Sequence, residues 1–72
     1  MIEIVRTNDL VTISVIEHLL KGEGIAFWIA DQHMSAMEGS VGFLPRRILV
    51  DSDHESLARD LLTAAGLGSE LR

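Results

Sequence analysis

Residues 46–55 read Arg46-Arg47-Ile48-Leu49-Val50-Asp51-Ser52-Asp53-His54-Glu55, and the fold follows from how this stretch changes period. From Arg46 to Asp51 the side chains alternate, setting Ile48 and Val50 against Arg47 and Leu49, as a strand requires. Ser52 and Glu55 then make an S-x-x-E capping box. Asp51, Asp53 and Glu55 place negative charge at the positive end of the helix that follows. Its apolar stripe is Leu57, Ala58, Leu61, Leu62 and Ala65, and it ends near Gly66. Residues 67–72 offer neither cap nor stripe and are expected to fray.

Upstream, residues 25–30 form an apolar run rich in aromatic and β-branched residues, too short for an independent helix, and read as strand two. Between the two strands the pattern is lost over Asp31 to Leu44, where Gly39 and Gly42 relax the backbone and Pro45 cannot donate to a central ladder. Connectors of more than about 12 residues in compact domains are usually functional or mobile. At the start of the chain, Met1 to Thr7 alternates Ile2 and Ile4 with Glu3 and Val5, giving strand one. Asn8 or Asp9 can cap the next helix. Its apolar positions are Leu10, Ile13, Ile16, Leu19 and Leu20, with Gly22 and Gly24 as left-handed terminators, so helix one spans about Asp9 to Lys21.

The order β-α-β-β-α matches the first five elements of a ferredoxin-like split β-α-β unit. The predicted class is α+β: a single domain over residues 1–66 with a three-stranded antiparallel sheet of order 1-3-2. Right-handed crossover puts both helices on one face. Ile2, Ile4, Ile25, Phe27, Ile29, Ile48 and Val50 then face the helices. Glu3, Val5, Ala26, Trp28, Ala30, Arg47 and Leu49 face away. A solvent-facing sheet should be polar, yet this one carries Val5, Trp28 and Leu49, with Glu3 and Arg47 as its one cross-strand ion pair. Those three apolar residues are the predicted interface, for a second copy or a protein partner. The competing reading has the loop before Pro45 folding back over Trp28. The sheet also lacks a fourth strand, leaving an edge for the C-terminal tail or another chain to cap.

Composition narrows the function classes. With 72 residues and 7.9 kDa the chain has one small core, for which self-association is a natural remedy. A formal charge of −5 and a pI near 4.9 have the wrong sign for gripping nucleic acid or an anionic membrane. No apolar run approaches the roughly 20 residues of a membrane helix and no basic leader opens the chain, so a cytoplasmic setting is expected. The sequence contains no cysteine, which excludes disulfides, thiol nucleophiles and zinc-thiolate sites.

Chemistry-bearing residues are few. A candidate ligand site gathers His33, Ser35, Glu38, Gly39, Ser40 and Gly42 of the connector with Arg46 and Arg47. Its backbone amides and guanidinium groups would suit a small anion or nucleotide. Neither nucleotide-binding glycine motif is present, and neighbouring arginines on a strand point to opposite faces. Asp31, His33 and Glu38 lack metal-ligand spacing, and His18, His33 and His54 fall on different elements, so no metal or cofactor is expected. Met34 and Met37 read as flexible packing, and nothing fixes Ser35 or Ser40 in a catalytic triad. The run ILVDSDHES resembles a strand-then-DxD phosphotransfer motif, which would make Asp51 the nucleophile and Asp53 the acid-base of a small hydrolase. Helix capping explains the same residues locally.

The residues Arg6-Thr7-Asn8-Asp9, Ala30 to Ser35, Glu38-Gly39-Ser40, Gly42 and Leu44-Pro45-Arg46-Arg47 carry a further signal. Over about residues 1–65 the chain resembles a small bacterial family, a domain of unknown function described as putative prokaryotic signal-transducing proteins. That family is similar in fold to the ferredoxin-like nitrogen-regulatory signal proteins. The resemblance implies a regulatory or binding role without catalysis. This chain has neither the long loop nor the fourth strand of those larger proteins, so their trimer and ATP site do not carry over. The sequence therefore points to a non-enzymatic signalling module that self-associates or docks a partner through the Trp28 face. The alternative is an anion or nucleotide sensor built on residues 31–47.

Overall fold

Asp9 marks the boundary between the first strand and the first helix: its carboxylate accepts from the backbone N–H of Val11 at 2.9 Å and of Thr12 at 3.4 Å, satisfying donors that a helix start leaves unpaired. The computed structural model describes residues 1–31 and 46–72. Within them β1 (Ile2–Thr7), α1 (Leu10–Gly22), β2 (Phe27–Asp31), β3 (Arg46–Val50) and α2 (Glu55–Ala64) follow in order. Two short 3-10 turns, Ser52–His54 and Gly68–Glu70, lie before and after α2. The sheet has the order β1-β3-β2, with β3 antiparallel to both neighbours. This is the ferredoxin-like α+β arrangement the element order predicts.

Both helices end in the same way. After α1, Gly24 takes φ +70°, its N–H donates to Lys21 O at 3.1 Å, and the Ile25 N–H donates to Leu20 O at 3.0 Å. After α2, Gly66 takes φ +83°, donates to Thr63 O at 3.0 Å, and Leu67 donates to Leu62 O at 2.8 Å. These are the paired bonds of a Schellman cap, and the left-handed residue in each is a glycine because a Cβ is disfavoured there. The caps turn Ile25 and Leu67 back onto the core. Strand two consequently starts at Phe27, two residues later than the apolar run predicts.

Ile13, Ile16 and Leu20 of α1 and Ala58 and Leu62 of α2 bury one face of the sheet, meeting Ile4, Val5, Ile48 and Val50 in a single cluster. Val5 overturns a sequence expectation. Strict alternation puts it on the open face, but it is 0% exposed and pairs with Ile48. The cause is an irregularity in β1: Glu3 pairs with Leu49 and Val5 with Ile48, so Ile4 is an extra residue bulged out of the register. A bulge shifts the phase of alternation by one, and Ile4 and Val5 both reach the core.

Three further expectations need correction. No Ser52–Glu55 capping box forms: the Asp51 carboxylate accepts from the Asp53 N–H at 3.1 Å and caps the 3-10 turn that leads into α2, whose own N-cap, His54, makes no side-chain cap bond. The 3-10 turn over residues 52–54 delays the α-helix to Glu55, so Ser52 never occupies the capping position. Leu10, Leu57 and Ala65 are exposed instead of lying on their helices' buried stripes. Residues 67–72, for which the sequence offers neither cap nor stripe, lie against the sheet edge. Leu71 bridges to Val5, and the Arg72 N–H donates to Ile4 O at 2.8 Å. Arg59 clasps the end of the chain through Nη1 to Arg72 O at 2.7 Å. The outer edge of β1 is thereby covered by the chain's own terminus.

Candidate interaction face

The open face of the sheet is assembled by register. Opposed residues of antiparallel strands point to the same side, so Glu3, Leu49 and Trp28 form one row, and Arg6, Arg47 and Ala30 form the next. Trp28 is 64% exposed. Leu49, Ala30 and Arg47 beside it are partly buried. An indole on the open side of the outer strand β2, with a leucine and an alanine as neighbours, is a large apolar area left to water.

Charge on this face is arranged differently from the sequence expectation. Glu3 does not pair with Arg47. It accepts from Arg6 Nε at 3.0 Å and from Arg6 Nη2 at 3.1 Å, and Arg72 Nε lies 3.5 Å away. The bulge explains this too, because without it residues three apart on a strand would face opposite sides. Arg47 stands across from Arg6, and its Nε is buried with no hydrogen-bond partner among the described residues. Arg46 pairs in register with Thr7 and Asp31, one position along and therefore on the other side of the sheet from Arg47. The two arginines do not converge on one point.

Of the remaining predicted ligand residues, His33, Ser35, Glu38, Gly39, Ser40 and Gly42 lie outside the described residues. So does the segment considered as a cover for Trp28. His18 sits exposed on α1, far along the chain from the exposed His54 at the start of α2. Among the described residues no three His, Asp or Glu side chains gather as a metal-binding group, and no helix is long and apolar enough to cross a membrane.

The Asp51 carboxylate is held below the ordinary carboxylate range, chiefly by the Asp53 backbone N–H, with His54 adding to the effect and partial desolvation opposing it. His54 Nδ1 lies 3.2 Å from Asp51 Oδ2. Both groups are occupied in holding the turn that starts α2. Asp9 is likewise lowered, first by the Thr12 and then by the Val11 backbone N–H.

Sequence reasoning missed a second apolar patch. Leu10, Val11 and Val15 are exposed on the first turns of α1, Val11 at 72%. The signal was present in Val11 and Val15, spaced four apart and off the Ile13–Ile16–Leu20 line that the helix buries.

Residues 1–66 match a family model described as "Putative prokaryotic signal transducing protein". No curated protein matches the chain significantly.

Proposed function

We propose, for a chain that belongs to this signal-transducing family, a non-enzymatic regulatory module that works by docking: its open sheet face, centred on Trp28, receives a second copy or a protein partner. The observation that carries the reading is the 64% exposure of Trp28 on a face it shares with Leu49 and Ala30. Burying a tryptophan and its neighbours is among the larger contributions a small interface can draw on. A fold with a small core has little reason to leave that area in water unless association covers it.

Sedimentation equilibrium of the wild type and Trp28→Ala, paired with capture of cellular proteins on each immobilised form, tests the proposal. Association or capture should weaken at least about tenfold in the variant, the effect of losing roughly 1.4 kcal/mol of contact. A wild type that stays at 7.9 kDa and captures the same proteins in the same amounts as Trp28→Ala would overturn it.

A second reading, recognition of a small anionic ligand, is supported by the Nε of Arg47, buried and without a hydrogen-bond partner among the described residues. Buried guanidinium donors are normally satisfied, and a phosphate or carboxylate is the group that satisfies them best. NMR titration with nucleotides and phosphorylated metabolites tests this reading. Shifts clustered around Arg47 support it, and none at millimolar ligand counts against it.

A further inference from the structure

The chain treats the two edges of its sheet differently. At β1 the tail supplies a bridge from Leu71 and a hydrogen bond from Arg72. At β2, among the described residues, no strand pairs with the outer side. The direction of its backbone groups follows from one bond: the Asp51 N–H donates to Ala26 O at 3.2 Å, in the same register as the β2–β3 ladder. Antiparallel pairs alternate between bonded and non-bonded. Trp28 and Ala30 therefore turn their backbone groups to β3, and Phe27, Ile29 and Asp31 turn theirs outward. The edge reads FWIAD, without the lysine, proline or bulge by which exposed edges usually resist pairing.

We propose that this edge pairs antiparallel with β2 of a second copy, joining two three-stranded sheets into one about a two-fold axis at Ile29. In that register Ile29 meets Ile29 of the partner copy, and all five residues of the strand are paired. On the open face, Trp28 stands across from Ala30 of the other copy, a large side chain against a small one. Ala30 is itself in register with Arg47. The indole of one copy thus lies two strands, about 9.6 Å, from the Arg47 of the other, within the combined reach of the two side chains. A guanidinium whose Nε has no partner among the described residues would then sit against an aromatic face that attracts cations. The two Asp31 positions fall at opposite ends of the joined ladder, so no like charges oppose each other across it. This edge pairing goes beyond the docking of the open face, because it is made by backbone groups and leaves most of that face available.

Amide hydrogen exchange followed by NMR at two protein concentrations, with light scattering, tests the pairing. At high concentration the mass should double, and the Phe27 and Ile29 amides should become protected at least about tenfold, losing that protection on dilution. Ala30→Glu should keep its fold, since Arg47 lies across from it to pair with the new carboxylate. It should weaken dimerisation at least tenfold by occupying Arg47 and crowding the partner's indole. A protein that remains monomeric at millimolar concentration overturns the proposal. A dimer in which the Ile29 amide exchanges freely while Trp28→Ala dissolves it also overturns the edge pairing, and leaves the docking of the open face standing.

Discussion

Glu3 and Arg6, three residues apart on one strand, share the same face of the sheet and are joined by two hydrogen bonds of 3.0 and 3.1 Å. A regular strand forbids this arrangement. The bulge at Ile4 permits it, and the same bulge sends Val5 into the core and leaves Trp28 and Leu49 as the large apolar groups of the open face.

The bulge predicts a contrast between two substitutions. Val5→Thr keeps the shape and β-branching of the side chain but buries a hydroxyl without a partner, and should cost about 1–3 kcal/mol. Trp28→Thr, on the open face, should change stability of the isolated subunit by less than about 1 kcal/mol. Urea unfolding of the two variants checks this, and a neutral Val5→Thr would place Val5 back on the open side.

Residues 67–72 lie beyond the family match, yet they should be needed for stability. Leu67 and Leu71 pack on the core, and the terminus covers Ile4 and Val5 of β1. A chain ending at Gly66 should lose at least about 2 kcal/mol, the value of re-exposing two partly buried leucines. Thermal unfolding that matches the full chain would show the tail to be dispensable.

The Schellman caps make Gly24 and Gly66 poor sites for any side chain. Space is available at both positions, so the cost comes from positive φ alone. Gly24→Ala and Gly66→Ala should each destabilise by about 1–2 kcal/mol. Gly22→Ala, at a glycine without positive φ inside the last turn of α1, should be neutral or stabilising. Circular dichroism melts of the three variants separate backbone strain from loss of contacts.

Acid should act first on the helix starts. Asp9 and Asp51 are both lowered from the ordinary carboxylate value of 3.8. Groups depressed in the folded state contribute stability that is present above that value and lost as pH falls through the folded pKa. Stability should therefore drop on the acid side below about pH 4. The double variant Asp9→Asn, Asp51→Asn should be less stable at neutral pH and should show a flatter acid-side slope. An unchanged slope in denaturant titrations from pH 2 to 6 would remove both caps from the account.

Much of the fold was legible because short-range rules decide it. Element order, the Asp9 cap and the Gly24 stop follow from residues close in sequence, where periodicity and glycine chemistry act directly, and the strand order follows from matching that element order to a known topology. The predicted ligand residues 33–42 lie outside the described residues, and of the candidate interface Trp28 and Leu49 stand on the open face while Val5 does not. The Val5 error has a definite cause: a bulge is a compromise between two paired strands, and strict alternation along β1 cannot reveal it.

The sequence by itself determined which segments become helix and strand and which indole has no obvious place in the core, because those depend on local backbone preference and apolar spacing. Tertiary structure decided the phase of β1, the partner of Glu3, and the docking of the tail against Ile4 and Val5 at one sheet edge. Each of these depends on contacts between residues far apart in the chain, where pairing geometry and burial override the local pattern.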